Sequence, residues 1–433
     1  MLLSFAHDLI SWKLDKGFLE LWKTNNKEAV EDRITYRGWW IVAIAAVAMS
    51  TGPGQFAFGA LGLFIKPLGE EFGWSRAQVS LAATYFTIVL AFSIPFIGQL
   101  VDRFGSRRVL LPSTLIFAVL LALPAFLVDT LWKLFLIYIL MGCLGAGANA
   151  LPFLRTIATW FDRRRGLAIG IAMGGSGMGY AYVPPMVQHV ISGYGWRAGY
   201  LCLAAVIVII TIPLVYFFLR DAPAGQGRAD ERREDPGGAS LKLLPILKSR
   251  LLWQLFLIFC LLSFGLYGVL AHLAPMMSDR GMTLVDAALV QSTLGIAIVV
   301  SRVFVGYLID RFVATRVAFV CFLISACGVG VLAAGAAGTP AFLAALAIGL
   351  SLGAEIDMLA YLTSRYYGVD NFGKIYGILF ASFLIGTSLG PYAFGLAYEV
   401  YGSYREVLMT AAGVIIVSAV TTLLLPAYKK TGC

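Results

Sequence analysis

Gly98-Gln99-Leu100-Val101-Asp102-Arg103-Phe104-Gly105-Ser106-Arg107-Arg108 closes one long apolar run and opens the next. A shorter copy recurs as Gly306-Tyr307-Leu308-Ile309-Asp310-Arg311-Phe312. In both, a glycine is followed by three residues and then Asp-Arg-Phe, and the two aspartates stand 208 positions apart in a chain of 433. Self-similarity at half the length of the chain marks a duplicated unit. Around the two copies lie apolar runs centred near residues 50, 89, 117, 145, 176, 208, 262, 297, 324, 351, 385 and 414. Runs of about 18 or more apolar residues are long enough to cross a bilayer as helix. The expected fold is an all-α membrane protein of twelve transmembrane helices in two six-helix, pseudo-symmetric halves. Residues 37–219 and 250–426 form the halves, 220–249 a polar Pro/Gly-containing linker, and 427–433 a tail.

Composition excludes a soluble globular domain. Only 13% of residues are charged, against about a quarter in soluble proteins. The net charge of +9 is a matter of topology rather than a nucleic-acid footprint. Lys and Arg gather in alternate loops (Arg103, Arg107 and Arg108; Arg163 to Arg165; Arg228 to Lys248), while intervening loops carry few, such as Lys133, Arg197 and Arg280. The positive-inside bias then places both termini and the linker in the cytoplasm, in a multi-pass plasma (inner) membrane protein. Residues 1–36 mix charges with Leu2, Phe5, Leu9, Trp12, Phe18, Leu21 and Trp22. They suit an amphipathic helix on the membrane surface, or a partly ordered tail, and no cleavable leader. The six cysteines show no metal spacing. No nucleophile–base pair, metal cluster or nucleotide loop is evident, so neither an enzyme nor a cofactor is expected.

Charges inside the apolar runs are the functional signal. Arg302 lies eight residues before Asp310, about 12 Å of helix, which sets it near the middle of a bilayer of about 15 Å half-thickness. A guanidinium there costs about 2.5–3.5 kcal/mol on insertion scales, a cost offset by a partner, a water-filled cavity or an anionic ligand. An anion site follows, with a small organic anion as substrate. Asp357, eight residues before Arg365, lies about as deep and is a proton-coupling candidate or a structural ion pair. Glu355, also a proton-coupling candidate, is about 200° round the same helix, so both cannot line one cavity squarely and one of the two pairs between helices. His272, in Ala271-His272-Leu273 near the outer end of helix seven, suits proton sensing or an interfacial hydrogen bond. Gln55, in the breaker cluster Thr51-Gly52-Pro53-Gly54-Gln55, fits irregular backbone lining a cavity. Asn149 and Tyr267 are further candidate substrate contacts, with Tyr85, Tyr180, Tyr182 and Tyr361 as candidate walls. Gly174-Gly175-Ser176-Gly177-Met178-Gly179 lacks a P-loop lysine, and close helix packing explains it better than phosphate binding.

The Gly98–Arg108 loop resembles the signature of the major facilitator superfamily between helices two and three. The second copy is degenerate at Val313 and Ala314. The resemblance, over roughly residues 37–426, implies latching by loop charges during alternating access. It makes Asp102, Arg103, Arg107, Asp310 and Arg311 gating candidates, and Arg155 on helix four a latch partner. A narrower resemblance is carried by Trp160-Phe161-Asp162-Arg163-Arg164-Arg165-Gly166 and by Lys66-Pro67 with Glu71-Phe72-Gly73-Trp74-Ser75-Arg76. Both are similar to segments of monocarboxylate transporters and oxalate–formate antiporters. In the former an Arg-x-x-x-Gly arginine of helix eight binds the substrate carboxylate, which matches Arg302 and Gly306. Two departures matter. Ile298 replaces the aspartate that vertebrate members place one turn before that arginine. Phe383 lies where the stretch after Tyr376-Gly377 lacks the lysine of oxalate exchangers, which leaves it a wall residue. One central cation fits one carboxylate. The resemblance therefore implies a proton-coupled monocarboxylate symporter, monomeric, with protons and the lipid bilayer as further partners. Organic-anion exchange, proton-antiport efflux and a non-transporting receptor are the alternatives.

Overall fold

The structure, a computed structural model, describes residues 36–161, 164–219, 246–367 and 372–426. The expected surface helix, most of the linker, the tail and Arg163 lie outside the described residues, as does the side chain of Asp310. Twelve helical segments run through the rest. They are α1 (Arg37–Phe72), α2 (Arg76–Phe104), α3 (Ser106–Leu127), α4 (Leu131–Leu144 and Ala150–Trp160) and the long helix Arg165–Val206, which continues to Phe218. Gly195 (φ 82°) breaks that long helix into α5 before it and α6 after it. Then come α7 (Arg250–Asp279), α8 (Leu284–Arg311), α9 (Ala314–Ala333), α10 (Thr339–Tyr367), α11 (Phe372–Tyr401) and α12 (Arg405–Leu423). The chain is therefore a multi-pass membrane protein.

The signature loop is one residue of left-handed backbone. Gly105 (φ 84°) joins α2 to α3, a conformation that side-chain-bearing residues adopt only at a cost. At the opposite end, Ser75 opens α2 with a reciprocal capping box to Gln78. We call the two ends the signature-loop end and the Arg76 end.

Two helices depart from regular geometry, both where the sequence carries breakers. In α1 the helix Arg37–Ser50 stops at Thr51-Gly52-Pro53 and resumes as a π-helical turn over Gly54–Gly59. Carbonyls loosened by such a turn need other donors in a bilayer. Tyr180 donates to Gly54 O at 3.1 Å and Gln291 Nε2 to Gly59 O at 3.0 Å. In α4 the expected continuous helix around residue 145 is instead broken by a 3₁₀ turn, Ala146–Ala148. Asn149 caps the second arm, and Pro152 falls in its first turn, where a missing N–H costs no bond.

The halves meet along α5–α8, α2–α11 and α1–α7. The glycine run of α5 brings that helix close both to α1 of its own half and to α8 of the other. A Cβ on Gly175 would lie 2.0 Å from Ala46 O and one on Gly179 2.2 Å from Ser50 O, while one on Gly177 would meet Val299 of α8. Small residues let backbones touch where no hydrophobic force acts between helices in lipid. The outer surface is apolar, as lipid contact requires. On α8, Val303 is 76% exposed while its neighbour Arg302 turns inward, with 7% of its side chain exposed.

Candidate functional site

Arg302 Nη1 lies 3.5 Å from Asp357 Oδ1, joining α8 to α10 about two-thirds of the way along both helices. That is the outer limit of a hydrogen bond. The buried Nε has no hydrogen-bond partner among the described residues. A guanidinium carries five donors in a planar fork matched to carboxylates, so this cation is only partly satisfied. Asp357 keeps 39% of its side chain exposed although it sits well inside a long helix. One side of the carboxylate is therefore open, while the guanidinium is enclosed. Tyr180 (α5), Tyr267 (α7) and Tyr376 (α11) all lie within electrostatic reach of Arg302. Both halves thus supply groups to one central place.

Glu355 faces elsewhere. It is fully buried, and Ser263 of α7 donates to its Oε1 at 2.6 Å, leaving Oε2 unpartnered among the described residues. The helical offset from Asp357 turns one carboxyl into the α7–α10 contact and the other to Arg302. Tyr267 and Phe383 join an aromatic series on the site's wall. Phe58 meets Tyr267 at 5.7 Å between centroids, Tyr267 meets Phe383 at 5.4 Å, Phe383 meets Phe380 at 5.3 Å, and Phe380 meets Tyr376 at 5.7 Å. Gln55 is buried in the π turn of α1, against Gly179. The Oδ1 of Asn149 accepts from Ala150 N at 2.7 Å and serves as a helix cap.

The Arg76 end is closed by a polar clasp between the halves. Asp279 of α7 accepts from Arg76 (α2) at 2.5 and 3.1 Å and pairs with Lys66 (α1) at 2.6 Å. The N–H of Ala77 donates to Glu399, Thr84 donates to Ser388 O, and the Arg76 guanidinium lies 3.7 Å from the Tyr398 ring centre. His272 belongs here, fully buried, and not beside Arg302. Its Nε2 is 2.8 Å from Pro391 O and 3.1 Å from Ser80 Oγ, and its Nδ1 is 3.0 Å from Tyr404 OH. Since a carbonyl only accepts, Nε2 carries the hydrogen and Nδ1 accepts from Tyr404, which in turn accepts from Arg76. With this end clasped, the Arg302–Asp357 pair lies in the part of the molecule toward the signature-loop end.

There Arg155, Arg107 and Arg103 meet partners within their own half. Arg155 bonds the Val101 carbonyl and lies 3.5 Å from Asp102, tying α4 to α2. Arg107 bonds the Tyr216 carbonyl of α6, and Arg103 lies 5.2 Å from the ring of Phe104. Arg311 donates to Tyr307 OH at 3.1 Å. Sequence reasoning missed Gln291, Ser263, Phe380 and the Lys66–Arg76–Asp279 clasp. Of these, only the clasp left a trace in the sequence, charges at helix ends, and their pairing was not readable there.

Twelve apolar segments in two halves, with a buried and partly satisfied guanidinium between them, are the architecture of a polytopic membrane transporter. The profile of the Major Facilitator Superfamily matches residues 47–368, and the chain belongs to that superfamily. It is 27% identical over 392 residues to monocarboxylate transporter 11 of Mus musculus, across 88% of this chain and 86% of that one. Monocarboxylate transporter 2 of Homo sapiens is 23% identical over 414 residues, across 89% and 85%. The uncharacterized MFS-type transporter YcxA of Bacillus subtilis (strain 168) is 24% identical over 408 residues, across 90% and 96%. Among solved structures, a bacterial homologue of the human lysosomal transporter Spinster, inward-facing and occupied, superposes with a TM-score of 0.66. It is 16% identical and covers 89% of this chain and 96% of that one. The fold and the relatives are those of membrane transporters, not of enzymes.

Proposed function

We propose that the chain is a proton-coupled symporter of small organic monocarboxylates that works by alternating access. The observation that carries the reading is the half-satisfied guanidinium of Arg302, buried and loosely held by a partly accessible Asp357. The names of the relatives, monocarboxylate transporters over most of both chains, support it.

Charge balance supplies the coupling. With no substrate, Arg302 and Asp357 neutralise each other. A substrate carboxylate takes the guanidinium's fork in two parallel bonds. The displaced Asp357 would then be an unpaired buried anion, which is costly unless it neutralises. If it binds a proton, guanidinium, carboxylate and neutral acid sum to zero, as in the empty state. The two neutral states can rearrange, and the singly charged intermediate is disfavoured. One proton accompanies one anion. By the positive-inside bias the signature-loop end faces the cytoplasm of a plasma membrane, so the clasped Arg76 end is external and the state described is closed to the outside. The unit of transport is the monomer.

The test is pH-gradient-driven uptake of a radiolabelled monocarboxylate into proteoliposomes. Arg302→Ala is expected to lose at least nine-tenths of the uptake while melting as the wild type does. Full retained uptake would sink the anion site.

A further inference from the structure

The wall beside Arg302 selects among carboxylates. Tyr376, Phe380 and Phe383 occur at i, i+4 and i+7 on α11, one stripe of a helix about 10 Å long. Their rings are near-parallel and offset, with interplanar angles of 17° and 24°. Tyr267 of α7 and Phe58 of α1 extend the series edge to face, at 86° and 72°. Arg302 acts electrostatically on Tyr376 at one end of this series and on Tyr267 near the other. The helices that carry the cation and the rings pack in one ring, α8 against α7 and α10, and α11 against the same two.

We propose that the substrate is an aryl monocarboxylate, with its carboxylate on Arg302 and its ring against the Tyr376–Phe380–Phe383 stripe. This rests on the assignment of Arg302 as the anion site. Parallel offset rings present hydrogen-bearing edges sideways, and those edges carry partial positive charge that attracts the face of another ring. The same surface offers little to the second charge of a dicarboxylate or to a small hydroxy acid, whose hydration it would strip without return. An aromatic contact of this kind, added to the buried area of a phenyl group, corresponds to about tenfold or more in affinity.

The experiment measures inhibition of counterflow in proteoliposomes by phenylacetate, benzoate, acetate and L-lactate, with thermal shift of the purified protein as a second readout. Phenylacetate or benzoate is expected to act at concentrations at least tenfold below acetate and lactate. Phe383→Leu and Phe380→Leu should each shrink that ratio several-fold. Equal or tighter action of lactate or acetate, or a ratio unchanged in both leucine variants, overturns the aryl assignment. Arg302→Lys separates the two levels of the argument. If all four acids depend on Arg302 but show no preference, the aryl assignment alone falls. If they act equally on wild type and Arg302→Lys, the anion site falls with it.

Discussion

Two carboxylates two residues apart on α10 face different neighbours because about 200° of helix separates them. Glu355 is enclosed with Ser263, whereas Asp357 is partly accessible and lies against Arg302. The proton should therefore travel on Asp357. Asp357→Asn is expected to keep substrate counterflow, which needs no net proton movement, and to lose accumulation driven by a pH gradient. Accumulation equal to wild type would exclude Asp357 as carrier. Both groups were legible in the sequence because a charge deep in an apolar run is expensive and needs a reason to be there. Gln291 was not legible. An amide near the start of a helix, in Val290-Gln291-Ser292-Thr293, is ordinary until the π turn of α1 presents it with the Gly59 carbonyl. Asn149 shows the converse: a short amide beside a helix break serves equally as ligand or cap, and only the backbone path decides.

At the scale of the element, packing density governs. Gly179 of α5 touches the backbone of α1 at Ser50, whereas a Cβ on Gly174, five residues earlier, would meet nothing within 4 Å. Overpacking a tight contact costs about 1–3 kcal/mol. Gly179→Ala should accordingly lower the melting temperature by several degrees, and Gly174→Ala should leave it unchanged or slightly raised. Equal melting of the two variants would contradict the contact. That the run packs helices was legible from its small residues and its missing lysine. Which glycine meets which helix was not, because that depends on the rotation of α5 about its axis. The aromatic stripe of α11 was hidden for a similar reason. Rings at helical spacing are commonplace in apolar helices, and their meaning comes from Arg302 on another helix.

Across the whole molecule, the tie between the halves at the Arg76 end centres on one carboxylate, Asp279, between two cations, with Glu399 and Ser388 as further acceptors. Asp279→Asn would leave Lys66 and Arg76 facing each other with that counter-ion gone, and like charges repel. Spin labels at Trp132 and Leu284, exposed positions near the Arg76 end of α4 and α8, should report a broader and longer distance distribution in Asp279→Asn than in the wild type. An unchanged distribution would mean that the clasp does not hold this end shut. The duplicated Asp-Arg-Phe loop made the two halves readable from the chain alone, since equal spacing in sequence becomes symmetry in space. The clasp joins those halves across 203 residues, from Arg76 to Asp279, and no local pattern encodes such a pairing. The π turn of α1 gives this architecture a phase. A π turn holds one residue more than the α-helix would, so everything beyond Gly59 is rotated by about 100° relative to an unbroken helix. Lys66 points at Asp279 only in that shifted phase. Removing one residue between Gly54 and Gly59 would preserve every side chain of the clasp in the sequence and still aim its lysine away from its partner.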